Sequence, residues 1–212
     1  MSIDAIPLNP AWKSQAGASV SQAAPQEYAM ESLLDYAVFS VSGTTVPGKY
    51  AGAEWYINRP IPSGAKACCL SFDMELSDSA TQYAQALESD CIFTDPQGYK
   101  YNRSFQVAGL ALEIARQDGS WVPFTTIPAK LATSASHRIQ IFHTLDFVKR
   151  VSSTVAASLD GNLYLVPENL QNVGALKSNW TPNQVLVQMQ ETLTLAAGAF
   201  SESVGNMNLI WG

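Results

Sequence analysis

The feature that most constrains this chain is a period-two alternation of apolar and polar residues, repeated in run after run from about Leu33 to the C-terminus. Side chains alternate across a strand, so such a run gives one face to a core and the other to water or a ligand. The runs are residues 36–41, 52–58, 67–76, 83–93, 99–107, 110–115, 138–145, 151–159, 162–166, 185–195 and 200–211. Turn signals punctuate them. Asp95-Pro96-Gln97-Gly98 is a strong β-turn sequence, Asp118-Gly119 closes another run, and Asp160-Gly161 between β-rich runs signals a two-residue hairpin. One short helix is expected over 168–176, behind Pro167. So many strands with so little helix predict an all-β chain in which sheet packs on sheet.

Composition supports one large domain. The 212 residues are 47% hydrophobic and only 14% charged, enough apolar surface for a core without staples and for outer faces that are polar but uncharged. Residues 1–32, rich in Ala, Ser, Gln and Pro, read as a loosely structured N-terminal arm anchored by Trp12; residues 33–212 read as the sandwich domain. The net charge of -6, with Lys149-Arg150 as the nearest approach to a basic cluster, argues against nucleic acid or an anionic membrane surface as partner. No apolar run reaches the ~18 residues of a membrane span. Met1-Ser2-Ile3-Asp4 lacks the basic and apolar regions of a signal peptide, which leaves the compartment open: cytoplasmic, or extracytoplasmic after removal of a leader. Cys68, Cys69 and Cys91 have no metal-type spacing and read as buried thiols in strands. Neighbours on a strand face opposite ways, so at most one of Cys68 and Cys69 can meet Cys91.

Splitting the runs by parity gives a candidate core and a candidate site. Leu87, Cys91, Phe93, Ile139, Ile141, Val185, Val187 and Met189 fall on core faces. Glu88, Asp90, Asn102, Gln106, Arg138, Gln140, Gln188 and Gln190 fall on the opposite faces. Such a polar, mostly uncharged face suits an ordinary solvated sheet. It also matches the donors and acceptors of sugar hydroxyls. Trp55, Tyr101, Trp121, Phe142 and Trp180 are candidates for a stacking platform, with core or hairpin packing as the plainer role of each.

The segments AEWYINRPIPSGAKACCLSFDMEL, ALESDCIFTDPQGYKYNRSFQ, SHRIQIFHTLD, VAASLDGNLYLV, NWTPNQVLVQMQETL and FSESVGNMNLIW follow one another in an order that resembles the concanavalin A-like lectin/glucanase (LamG-like) jelly-roll superfamily. They also resemble secreted bacterial sandwich proteins of unassigned activity. The resemblance covers roughly residues 50–212 and implies an all-β, two-sheet antiparallel jelly-roll sandwich. It implies one catalytic strand to test, E-x-D-x-E or E-x-D-x-x-E, in which the last Glu is the acid/base. Retaining hydrolysis needs two carboxyl groups about 5–5.5 Å apart. Here Glu88 and Asp90 match, but Ile92 or Phe93 holds the acid/base position and neither donates a proton. No catalytic residue is therefore assigned. Gln140-Ile141-Phe142-His143 resembles the Q-I-H of alginate-lyase jelly rolls, except that Phe142 turns His143 away from the face of Gln140.

No cofactor is expected. His137 and His143, six residues apart on one strand, lie about 20 Å from each other and cannot share a metal. The resemblance brings in a structural calcium, with Asp73, Asp78, Asp95, Asp146 and Asp160 as acids at loops or strand ends and no ligand set assigned. These readings favour a non-catalytic binding module with a glycan or polysaccharide partner. The rivals are a hydrolase or lyase with a non-classical carboxylate pair, and a structural or assembly protein. An enzyme predicts a second carboxylate, near Glu88 and Asp90, with a raised pKa; an assembly protein predicts an apolar patch instead of a polar groove.

Overall fold

A computed structural model describes residues 1–7, 12–15, 26–33, 36–43, 52–193 and 198–212. In chain order the elements are β1 (Ser2–Ala5), β2 (Lys13–Gln15), β3 (Gln26–Ser32), β4 (Tyr36–Gly43), β5 (Gly52–Pro60), β6 (Ala67–Leu76), α1 (Ala80–Tyr83) and β7 (Ala84–Thr94). Then follow β8 (Tyr99–Ala108), β9 (Ala111–Ala115), β10 (Trp121–Thr126), β11 (Ser136–Asp146), β12 (Val151–Leu159) and β13 (Asn162–Leu165). The last are α2 (Glu168–Gln171), β14 (Asn172–Gly174), β15 (Leu176–Lys177), β16 (Gln184–Leu193) and β17 (Gly198–Trp211).

The strands form two antiparallel sheets of a jelly-roll sandwich. The nine-stranded sheet runs β13-β12-β11-β6-β17-β4-β3, with β1 on β17 and β14 on β12. The eight-stranded sheet runs β10-β9-β8-β7-β16-β5-β2, with β15 on β8. The chain passes from one sheet to the other between β5 and β6 and again between β6 and β7, so neighbours in sequence are often not neighbours in a sheet.

The core lies where the inner faces meet. Leu87, Cys91, Phe93, Ile139, Ile141, Val185, Val187 and Met189 are all buried there, as their parity requires. The turns behave as their sequences demand. Asp160 and Gly161 both have positive φ, 50° and 81°, which suits a two-residue hairpin between twisted strands. Gly98 has φ 78°, a left-handed conformation in which a larger residue would be strained.

Three expectations change. The arm boundary at residue 32 does not mark where the sheets begin, because β1 pairs with β17, β2 with β5, and β3 with β4. Arg59 of β5 also bonds Asp4 of β1, joining the two sheets. Trp12 does anchor this region, its ring centroid 5.3 Å from that of Phe39. Residues 8–11 and 16–25 of the arm lie outside the described residues. Second, β10 has no counterpart among the expected strands, since Pro123 interrupts its pattern; it is an edge strand, where proline is tolerated. Third, the helix expected over 168–176 ends at Gln171, and its second half pairs as β14 and β15.

Candidate functional site: a polar groove on the eight-stranded sheet

The face of the eight-stranded sheet turned away from the core forms a groove of about 1090 Å³. Its floor is built rung by rung from strand register. One rung crosses β5, β16, β7, β8 and β9 as Glu54, Gln190, Glu88, Gln106 and Glu113, carboxyl and amide in alternation. The next is Tyr56, Gln188, Asp90 and Ser104, and the next Asn58, Leu186, Ile92 and Asn102. Successive rungs are about 7 Å apart and adjacent strands about 4.8 Å, so the first two rungs form a grid of closely spaced polar groups, and the third sets Leu186 and Ile92 between Asn58 and Asn102. Trp121 and Trp180 also line the groove, and Lys100 places its Nζ 4.6 Å from the centre of the Trp180 ring.

The floor is internally bonded. Gln188 Nε2 donates to Asp90 Oδ2 at 2.9 Å, and Gln106 Nε2 donates to Glu113 Oε2. Asp90 is almost fully buried, and burial pushes its carboxyl up to about 7. Burial, followed by the charge of Asp90, pushes Glu88 up to about 10, and the charge of Glu54 adds to it. At neutral pH the pair therefore carries at most one negative charge and holds at least one proton.

Six of the eight residues read from parity, Glu88, Asp90, Asn102, Gln106, Gln188 and Gln190, line this groove together. Arg138 and Gln140 do not. They belong to β11, in the other sheet. There Arg138 donates to Asp73 Oδ1 at 2.9 Å and to Ser71 Oγ at 2.6 Å. Parity sorts residues within a strand but says nothing of which sheet the strand joins. Of the aromatic candidates, Trp55 and Tyr101 are core residues, while Phe142 alternates with buried Ile141 and His143 and so faces outward from the nine-stranded sheet. Parity analysis overlooked Glu54, Tyr56, Asn58 and Glu113. The signal was present, because Ala53, Trp55 and Ile57 on β5, and Leu112 and Ile114 on β9, are the buried alternates of those residues.

The five loop and strand-end acids are dispersed, each with its own partners. Asp73 bonds Arg138 and Asn206, Asp78 bonds Ser134, Asp95 bonds Tyr101, Asp146 bonds Lys149, and Asp160 bonds His137. Among the described residues no group of three or more His, Cys, Asp and Glu is arranged to hold a metal.

No protein-family model and no curated protein matches this chain. Solved structures do align with it. The potassium-bound carbohydrate recognition domain of Emp46p aligns with a TM-score of 0.53 at 8% identity, over 94% of this chain and 88% of that one. A carbohydrate-binding module of the β-sandwich superfamily aligns with a TM-score of 0.46 at 10% identity, over 94% of this chain but only 57% of its own. Alginate lyase A1-II′ aligns with a TM-score of 0.47 at 11% identity, over 84% of this chain and 80% of that one. The sandwich of this chain thus shares its fold with the Emp46p domain.

Proposed function

We propose that this chain is a non-catalytic module that binds a glycan along the groove of the eight-stranded sheet. A fold hosts many functions, so the reading rests on the site and not on the fold likeness. The observation that carries it is the grid of Gln, Asn, Ser and carboxyl side chains across five adjacent strands, with Trp121 and Trp180 also on the groove. Amides and carboxyls offer donors and acceptors in the density that sugar hydroxyls need, and indole rings offer flat apolar faces to sugar rings.

A glycan array followed by calorimetry on the best ligand tests this. Gln190→Ala and Glu88→Ala are each expected to weaken binding by about 1–3 kcal/mol, roughly 5- to 150-fold in Kd, with the fold intact. Unchanged affinity in both variants, or no glycan ligand at all, would remove the proposal.

One observation favours hydrolysis as a second reading. Glu88 and Asp90 share a site in which burial keeps a carboxyl protonated near neutrality, and Glu54 lies close enough to add its charge. A protonated acid and a separate carboxylate are the two parts of glycoside cleavage. Ile92 still leaves the third position of the Glu88 strand without a proton donor, so Glu54 would have to serve as the second carboxyl. Polysaccharide cleavage abolished by both Glu88→Gln and Glu54→Gln would establish this reading in place of the first.

A further inference from the structure

We infer that Arg103, His143 and Ser152 form an internal site for a small monovalent anion of halide chemistry, between the two sheets. Arg103 lies on the core face of β8 between Tyr101 and Phe105 and is 1% exposed. Its Nε and Nη2 donate to Thr154 Oγ1 at 2.8 and 2.6 Å. Thr154 faces inward because β12 carries a bulge: Phe142 pairs with Ala156 but His143 with Thr154, which leaves Val155 as the extra residue.

The hydroxyl of Thr154 fixes the protons of its neighbours. Its oxygen accepts both Arg103 bonds, so its hydrogen is left for His143 Nδ1, 3.2 Å away. His143 then carries its own hydrogen on Nε2. That Nε2, Arg103 Nη1 and Ser152 Oγ are all buried and all lack a hydrogen-bond partner. Ser152 is two residues from Thr154 on the same face of β12, about 7 Å along the strand.

Each orphan group can donate; Arg103 and His143 share the Thr154 hydroxyl, and Ser152 is the next inward position along β12. Burial lowers Arg103 only to about 10, so it stays cationic at neutral pH, whereas burial and the Arg103 charge lower His143 to about 3 and keep it neutral. Among the described residues no carboxylate bonds Arg103; Asp90, on the neighbouring strand, faces the groove instead. A buried cation without a counter-charge is costly. The complementary occupant accepts hydrogen bonds and carries a single negative charge. A divalent anion would leave a buried excess charge. All three donors are enclosed in the core, which calls for a small ion.

Thermal unfolding of the full chain in sodium bromide and in sodium fluoride, at fixed pH and ionic strength, tests the site. Bromide is expected to raise the midpoint saturably by about 2–4 °C over fluoride, which is more strongly hydrated and costs more to strip of water for a dry core. General salt effects favour the more strongly excluded ion and would give the reverse order. Arg103→Met is expected to lose the bromide response, and Ser152→Ala to raise its half-saturation concentration several-fold. No saturable bromide effect, or one that persists in Arg103→Met, would overturn the inference. Should Arg103→Met not fold, anomalous scattering from crystals of the natural chain grown in bromide decides. A bromide peak within hydrogen-bond distance of Arg103 Nη1 is expected, and its absence there refutes the site.

Discussion

Asp95 carries more of the architecture than its place in a turn suggests. Fully buried, it accepts hydrogen bonds from the Gln97 and Tyr99 amides at 2.9 and 2.8 Å and from the Tyr101 hydroxyl at 2.9 Å. It therefore ties the β7–β8 turn to a core aromatic. Asp95→Ala leaves those donors unpaired and is expected to cost about 2–4 kcal/mol in urea unfolding. The thiols are equally position-specific. Cys68 and Cys91 meet across the core, and the Cys68 thiol together with burial holds Cys91 well above its ordinary value; burial pushes Cys69 up to about 11. All three thiols are free and buried, so the native chain should react only slowly with a thiol reagent and yield three equivalents once denatured. A count of one would reveal a Cys68–Cys91 bridge, since Cys69 points to the other face.

Edges and irregularities matter most at the level of the strand. Strand β10 ends the eight-stranded sheet, and Pro123 within it removes a backbone donor beside a register shift at Pro123–Thr125. An interrupted edge is a poor template for another strand. Pro123→Val should restore a continuous edge and increase self-association, visible as larger species in light scattering; an unchanged size distribution would show that the edge is protected by other means. The bulge in β12 acts differently. By skipping Val155 it turns Thr154 and Ser152 inward, and so places polar groups in a core that simple alternation would have filled otherwise.

At the scale of the whole molecule, buried acids set the response to pH. Glu191 of β16 and Glu202 of β17 are fully buried, and both put their carboxyls on the core side of their strands. Burial pushes Glu202 up to about 8, and burial with the Glu202 charge holds Glu191 well above the carboxylate range. A carboxyl whose pKa is raised by folding stabilises fully below its unfolded value, about 4.3, and loses that contribution as pH climbs through the folded value. His143, lowered to about 3, works the other way, but only below its unfolded value of about 6.5. Between about pH 6.5 and 9 these carboxyls act in the same direction as the raised Glu88 and Asp90 of the groove, so the denaturation midpoint should fall as pH rises. Glu202→Gln should flatten that fall. A midpoint that rises over this window would contradict the protonated state of the pair.

The sequence by itself determined the sheet character of the chain, the turns at Asp95–Gly98 and Asp160–Gly161, and the inner residues of β7, β11 and β16. All of these follow from covalent geometry, in which side chains alternate and Asp-Gly accepts positive φ. Six groove residues were legible for the same reason. Tertiary structure decided which strands lie side by side. It put β11 in the opposite sheet, which removed Arg138 and Gln140 from the groove, and it set β5 and β9 in line with β16, β7 and β8, which brought in Glu54 and Glu113. It also recruited β1, β2 and β3, whose pairing needs backbone groups more than an apolar pattern. Strand partnership is a long-range outcome of packing two faces into one core, and period-two alternation within a strand carries no record of it.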